Sequence, residues 1–220
     1  GFFFAQKGTF GHMLRRKTPN VNNRLLKEFN RLDQMLNKVP ADLIPMNKEE
    51  LGLLSFHQDQ KKTTGWVNRV SHGIITSIYQ EHLAQYMFRS YYFAAIASIL
   101  YVRTTSYKFG YIFGRKKCDI FINDQYAGSL NRKGELVGPK GRRVLLRLHQ
   151  QFDKATSIKI LDREVGLMNN LKKDDLSISR MLAYEDTTTI EEVLLVISIC
   201  FLRNIMTAIP HPSIMGYMRT

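Results

Sequence analysis

The sequence predicts an α+β fold, in which an antiparallel β-meander closes into a barrel around a buried C-terminal helix and a helical extension lies on the N-terminal side. Three observations lead to this prediction. Short strand-like segments separated by turn residues fill the second half of the chain, one hairpin pattern occurs twice, and a helix that is apolar on every face follows the last strand.

Length and charge limit the possible domain organisation of the chain and the kinds of partner it can bind. The chain has 220 residues, which suits one domain with an extension. We expect residues 1–50 to form an arm and a helical extension, and residues 51–220 to form the barrel domain with its central helix at 190–206. The formal net charge of +13 indicates an anionic partner, such as nucleic acid, lipid headgroups or an acidic protein surface. The two cysteines are too few for a disulfide framework.

The N-terminal region is predicted to be an extended arm followed by an amphipathic helix. The arm holds an aromatic run at 2–4 and a basic run at 15–17, and the sequence leaves open whether its first five residues end a signal peptide. Asn22 or Asn23 caps a helix whose apolar residues recur at helical spacing, namely Leu25, Leu26, Phe29, Leu32, Met35 and Leu36. Pro40 and Pro45 end this helix, and residues 47–50 begin a second short one.

The middle of the chain gives a less regular pattern. Gly73–Phe88 is predicted to be a helix, because apolar residues such as Ile75, Leu83 and Met87 recur at helical spacing. The apolar run within residues 90–102 fits a buried helix and a buried strand equally well. The longest apolar stretches, 91–102 and 193–202, are both shorter than the ~20 residues of a membrane-spanning helix, so no transmembrane segment is expected.

From about residue 99 onward the sequence predicts short strands at regular spacing, separated by glycine, aspartate and proline turn signals. We expect these strands at residues 99–102, 108–113, 119–123, 126–131, 144–149, 157–161, 165–168 and 176–183. Short strands at such spacing favour a meander that closes into a barrel or sandwich.

Two of these strand pairs share one pattern. Ile120–Asn131 and Ile158–Asn169 both follow the frame I-x-I-x-D-x-x-h-G-x-h-N, where h is apolar. The alternating isoleucines face one side of a strand, aspartate favours the turn, and glycine suits a bulge or a close backbone approach. Each copy is therefore predicted to be a β-hairpin, and the repeat indicates one supersecondary unit used twice.

The last element is predicted to be a buried helix. Thr189 and Glu192 have capping-box spacing, and the following run Val193–Leu202 is apolar on every face. Such a helix must be surrounded by protein. Ten residues make ~15 Å of helix, which fits inside a small barrel.

This combination resembles the tubby C-terminal and phospholipid-scramblase-like superfamily, which includes the plant LURP-one-related proteins. In that superfamily a closed barrel of about 12 strands wraps a hydrophobic helix near the C-terminus, and hairpins carry a return strand with an h-G-x-h pattern. The matching segments here are 119–131, 157–169 and the helix 190–206, within a resemblance over residues 99–209. The resemblance implies binding of phosphoinositides through a basic pocket.

Catalytic and metal-binding signatures are weak. The six histidines show no metal-type spacing, and neither a nucleophile elbow nor a P-loop is present. Some scramblases bind calcium beside the buried helix, but Glu185 and Asp186 lack the spacing of an oxygen-rich loop. We therefore expect no enzymatic activity, no cofactor and no metal.

Basic clusters are the strongest functional signal. Turns of a meander alternate between its ends, so we expect the clusters to form one electropositive rim that binds phosphate headgroups. The candidate residues are Arg115, Lys116, Lys117, Arg132, Lys133, Lys140, Arg142, Arg143 and Arg147.

The first functional hypothesis is a non-enzymatic module that binds anionic, phosphoinositide-type headgroups as a peripheral protein, with the cytoplasmic side of a membrane preferred over an exported location. The alternative is a structural subunit of a larger assembly that meets an acidic protein or RNA. Nucleic acid stays open as a partner without a specific motif. In this alternative the docking residues are Phe2, Phe3, Phe4, Leu25, Phe29 and Leu32.

Overall fold

The fold class is confirmed. The computed structural model describes residues 23–39, 41–63, 70–90, 98–114, 116–139, 141, 143–151, 155–170 and 179–209. This part of the chain contains three helices: α1 (Asn23–Leu36), α2 (Lys48–Leu51) and α3 (Ile190–Ala208). The strands are β1 (Leu54–Thr63), β2 (Val70–Ser77), β3 (His82–Ser90), β4 (Ser98–Arg103), β5 (Lys108–Phe113), β6 (Lys117–Ile122), β7 (Gln125–Asn131), β8 (Glu135–Val137), β9 (Val144–Gln151), β10 (Ala155–Ile160), β11 (Arg163–Asn169) and β12 (Leu182–Glu185).

The 12 strands form one antiparallel sheet in which each strand pairs with its neighbours in the chain. The sheet curls until its first strand meets the segment that precedes its last. Ser55 forms a β-bridge with Arg180, the Met181 amide donates to the Leu54 carbonyl at 2.7 Å, and the Phe56 amide donates to the Ser179 carbonyl at 3.3 Å. We call this junction of residues 54–56 with 179–181 the seam, and it closes the meander into a barrel.

The helix α3 occupies the interior, as its apolar sequence predicts. Every residue from Leu195 to Leu202 is buried, and the inward-facing side chains of the strands pack around them in one cluster. Some polar groups inside the barrel form hydrogen bonds with this helix. The Tyr111 hydroxyl donates to the Ser198 carbonyl at 2.8 Å, and the Asn204 amide group donates to the Ser55 carbonyl at 2.7 Å.

The helix α1 packs on the outside of the barrel. Its buried residues Phe29, Leu32 and Leu36 form a second apolar cluster with outward-facing side chains of β3–β6, namely Met87, Ile99, Tyr101, Ile112 and Phe121. Ion pairs fasten the helix at two points, Glu28 to Arg89 at 2.7 Å and Asp33 to Arg103 at 3.1 Å. The predicted N-terminal helix is confirmed, as is the short helix after Asn47, which has a capping box.

The prediction of a helix over Gly73–Phe88 is wrong, because these residues form most of β2, a turn and β3. Both faces of β3 are covered, the inner by α3 and the outer by α1, so its apolar residues do not alternate with polar ones. The turn between the strands also lacks a glycine or proline. Gln80 takes a positive φ of 65° there, and the Ser77 hydroxyl accepts from the amides of Tyr79 and Glu81.

The predicted hairpin repeat is confirmed. The pairs β6–β7 and β10–β11 both shift register just before the turn, between Ile120 and Phe121 in one copy and between Ile158 and Lys159 in the other. In both copies the two turn residues have positive φ: Asn123 and Asp124 in the first, Leu161 and Asp162 in the second. This is the φ signature of a type I′ turn, whose twist matches that of the strands.

The other predicted strands are found within a few residues of their expected bounds, except the last. The strand expected at 176–183 is observed as β12, which begins at Leu182, and residues 171–178 lie outside the described part of the chain. Residues 91–97 of the ambiguous apolar run also lie outside it. Ser90 ends β3, and residues 98–102 belong to β4.

Candidate functional site

Because the strands alternate in direction, every connection of the meander can be assigned to one of two ends of the barrel. The turns β5–β6 and β7–β8 lie at the same end. The described residues of these two turns include three cations, Lys116, Arg132 and Lys133, and no carboxylate. We call this the basic end.

All three cations of the basic end are exposed. Lys116 and Lys133 form no ion pair with a residue that the structure describes. Hydrogen bonds fix the β7–β8 turn itself, since the Asn131 side chain accepts from the amides of Lys133 and Glu135 at 2.8 and 3.1 Å. Arg180 is also exposed, but it lies at the seam beside Ser55 and not at the basic end.

Lys117 begins β6 near the basic end but is engaged by its neighbours. Its ammonium lies 3.0 Å from the Asp119 carboxylate and donates to the Ser129 hydroxyl at 3.3 Å. Ser129 and Tyr126 also bond to each other and to Asp119. Burial works to lower the pKa of Lys117, but the hydrogen bond and charge of Asp119 outweigh it, so this pKa is raised. Lys117 therefore stays protonated and is not a base that would activate Ser129.

Carboxylates gather at the opposite end, which we call the acidic end. It comprises the linker and α2 after α1, the turns β2–β3, β4–β5, β6–β7, β8–β9 and β10–β11, and the start of α3. The carboxylates in these described connections are Asp42, Glu49, Glu50, Glu81, Asp124, Asp162, Asp186, Glu191 and Glu192. The three large apolar side chains that are most exposed in the described chain, Tyr79, Leu161 and Ile190, are at this end too.

The structure does not bring all the predicted cations to one rim. The short strand β8 lies between the β7–β8 and β8–β9 turns, so Arg143 is at the acidic end, away from Arg132 and Lys133. The sequence predicts no strand between those at 126–131 and 144–149. The prediction therefore lacks β8 and the change of chain direction that β8 introduces. Arg115, Lys140 and Arg142 lie outside the described residues.

Arg147 of β9 is held by two carboxylates. Its guanidinium lies 2.7 Å from Asp162 and 3.8 Å from Glu135, and half of its side chain is exposed. These two ion pairs neutralise the charge of Arg147, and they link β9 to β8 and to the β10–β11 turn.

The residues assigned to partner docking divide in two. Phe29 and Leu32 are 1% and 0% exposed beneath α1, and Leu25 is partly buried against the same cluster, so all three contact the chain's own barrel. Phe2, Phe3 and Phe4 lie outside the described residues.

The start of α3 is anchored to β11 by an arginine. The Arg163 guanidinium binds Glu192 through both carboxylate oxygens, at 2.8 and 2.7 Å, and the Asp186 carboxylate at 3.2 Å. Glu192 also accepts from the Thr188 amide at 2.8 Å. Burial would raise the pKa of Glu192, but hydrogen bonds from Arg163 and Thr188 prevail, so this pKa is lowered.

Features typical of enzymes are sparse in the described part of the chain. Its histidines, cysteines and carboxylates form no group that could hold a metal ion. Cys118 and Cys200 are fully buried, and burial raises the pKa of both thiols. A shallow pocket of about 30 Å³ lies beside Val144, Leu161 and Asp162.

Among the described helices, none combines the length and the apolar character needed to cross a bilayer.

Comparison with known proteins gives no relative for this chain: neither a family model, nor a curated protein, nor a solved structure matches it.

Proposed function

We propose that the chain is a non-enzymatic, tubby-like module that binds anionic phospholipid headgroups at a membrane surface through its basic end. The observation that carries this proposal is the separation of charge between the two ends of the barrel. The described connections at the basic end hold cations and no carboxylate, whereas those at the acidic end hold most of the described carboxylates. A barrel wrapped around an apolar helix is further support, since the superfamily resemblance implies that arrangement.

The charges favour one direction of approach. Each Lys or Arg near an anionic membrane contributes ~1 kcal/mol, and this attraction fades within about one Debye length of the surface. Lys116 and Lys133 are exposed at the basic end, while carboxylates such as Glu49 and Asp124 are exposed at the other. An anionic surface therefore attracts the basic end and repels the acidic end.

The alternative, a subunit that docks on an acidic protein or RNA through its N-terminal arm and helix, has less support from the helix. Phe29 and Leu32 are buried against the chain's own barrel and present no apolar surface to a partner. The helix α1 packs against the barrel and does not project from it.

Vesicle co-sedimentation tests the proposal. We would compare the wild type with Arg132→Glu/Lys133→Glu at the basic end and with the matched control Lys38→Glu/Arg143→Glu, whose exposed cations lie at the acidic end. Vesicles of phosphatidylcholine alone, or with phosphatidylserine or phosphoinositide, would be used at low and high salt.

We expect salt-sensitive binding to anionic vesicles that the first variant loses and the control retains. Absence of binding to every anionic vesicle would overturn the proposal, and so would an equal loss in both variants.

A further inference from the structure

The helix α1 has a second face, opposite the one that packs on the barrel wall. The residues on this second face recur at helical spacing, and they are exposed and all polar. They continue into the turn after the helix and are Lys27, Asn30, Arg31, Gln34, Asn37 and Lys38. We call these six residues the outer face of α1.

The carboxylates of α1 are directed towards the barrel. Glu28 and Asp33 are the two carboxylates in the sequence of the helix, and their side chains are only 20% and 18% exposed. Glu28 lies 2.7 Å from Arg89 of β3. Asp33 lies 3.1 Å from Arg103 of β4 and 3.0 Å from Lys108 of β5. Because cations of the barrel neutralise both carboxylates, they do not compensate the positive charge on the outer face of α1.

The cations of the outer face are available to a partner. Lys27 and Lys38 form no ion pair with a residue in the described part of the chain. Arg31 is 60% exposed, and its guanidinium lies 3.9 Å from Glu28, which is closer to Arg89. Lys27 and Arg31 are about one turn apart, or ~6 Å along the helix axis. The outer face therefore presents a row of positive charge on the barrel wall.

The composition of this face distinguishes between kinds of partner. Protein interfaces have an apolar, aromatic core and are depleted in lysine. A helix that lies in a membrane interface inserts its apolar face into lipid, but the apolar face of α1 is buried on the barrel. Nucleic-acid interfaces are polar and positively charged, and Lys, Arg, Asn and Gln side chains bind their phosphate and sugar oxygens. The outer face of α1 matches the last of these.

The same face favours one form of nucleic acid. Single strands are held by aromatic side chains on which bases stack, and the outer face has none. Double-stranded RNA is bound through phosphates and 2′-hydroxyls across a wide, shallow minor groove. The exposed amides of Asn30 and Gln34 lie beside the cations, and an amide group can both donate to and accept from a hydroxyl. DNA has no 2′-hydroxyl to offer them.

We infer that the outer face of α1 is a docking surface for double-stranded RNA, in which its cations contact phosphates and its amides contact 2′-hydroxyls. This surface is on the wall of the barrel and not on the turns of the basic end. The inference therefore goes beyond the proposed lipid contact and does not rest on it.

The test measures binding of the full chain to a fluorescent 20-base-pair RNA duplex by anisotropy at several salt concentrations. A DNA duplex of the same sequence and one strand of the RNA are the comparison probes. The variant Lys27→Gln/Arg31→Gln removes two cations of the outer face. Arg143→Gln/Arg180→Gln is the matched control, because it removes two exposed cations elsewhere on the barrel. Asn30→Ala/Gln34→Ala removes the amides, and circular dichroism verifies that each variant is folded.

We expect the RNA duplex to bind more tightly than the other two probes. The cation variant should bind it more weakly, with a salt dependence of log affinity that is shallower by about one for each lost phosphate contact, whereas the control should match the wild type. The amide variant should lose the preference for RNA over DNA. Absence of binding to the RNA duplex would overturn the inference, as would equal affinity for the DNA duplex or an equal loss in the cation variant and the control.

Discussion

The ring of Phe29 in α1 lies directly over Gly110 in β5. A Cβ built on residue 110 would stand 2.5 Å from the Phe29 ring, closer than side chains approach one another. Phe121 meets the same ring edge-on, with 5.4 Å between centroids, and Tyr101 lies at 6.0 Å. The absent side chain at Gly110 thus makes the space in which α1 is seated on the barrel wall.

Gly110→Ala is expected to destabilise the fold by about 1–3 kcal/mol, the usual cost of overpacking a filled core. Urea unfolding measures this change. Gly52→Ala is the control, because its added Cβ would have only the Glu49 carbonyl nearby, at 3.8 Å. Phe29→Leu placed in the Gly110→Ala background should recover part of the loss. An unchanged unfolding midpoint for Gly110→Ala would contradict this account of how α1 is held.

Leu161→Asn is expected to stabilise the protein by ~1 kcal/mol, because leucine has a backbone cost at this position and little burial to offset it. Leu161 occupies a type I′ turn position with φ of 51° and is 46% exposed. The other copy of the hairpin has Asn123 at this position.

The reverse change, Asn123→Leu, should destabilise by more, because the Asn123 side chain also accepts from the Lys108 amide at 3.0 Å. Thermal unfolding of both variants measures the two effects. A lower unfolding midpoint for Leu161→Asn would show that the backbone conformation of the turn does not determine the stability effect at this site.

Glu192→Gln is expected to lower stability at neutral pH and to lose that effect in acid. The folded-state pKa of Glu192 lies below its unfolded value of ~4.3, so its contribution is complete above that value and disappears as the pH falls through the folded pKa. Urea midpoints from neutral pH to about pH 3 give the profile. Glu191→Gln, one residue away and without an ion pair to any described residue, is the control and should leave the pH profile of the wild type unchanged.

Cys118 and Cys200 should react with a thiol reagent only when the barrel opens. Both are fully buried, and burial raises the pKa of each thiol, so little thiolate is accessible in the native state. We expect labelling rates that rise steeply through the urea transition and coincide with loss of near-ultraviolet circular dichroism. Fast labelling of one cysteine under native conditions would show that the interior around α3 opens locally.

The elements that the sequence predicts well are those with one dominant signal. The twin hairpins carry aspartate and glycine at fixed positions, and the run Val193–Leu202 is apolar on every side, so each has only one stable environment. The β2–β3 hairpin has no such signal. α3 covers one of its faces and α1 covers part of the other. This burial depends on tertiary packing, which the local periodicity of the sequence does not reveal.

The candidate site was harder to predict, because the end of the barrel at which a residue lies depends on how many times the chain has reversed direction before it. The three residues of β8 are too few to give a periodic pattern, yet this strand decides at which end Arg143 lies. Arg180 lies beside Ser55 at the start of β1, because closure of the sheet brings the segment before β12 to that point. Which cations share one end of the barrel depends on the complete order of strands. A prediction that misses one strand therefore assigns cations to the wrong end, although its fold class remains correct.

The seam also determines when this domain becomes stable. The other strand pairings are between consecutive strands and can form as the chain emerges, whereas the seam joins residues 54–56 to residues 179–181, and α3 follows both in the chain. Until α3 has been synthesised, inward-facing residues such as Tyr111 and Leu146 have nothing to pack against at the barrel axis. A chain that has all 12 strands but not yet α3 therefore still exposes an unfilled apolar interior, and the arrival of α3 fills the barrel and closes it in one cooperative step.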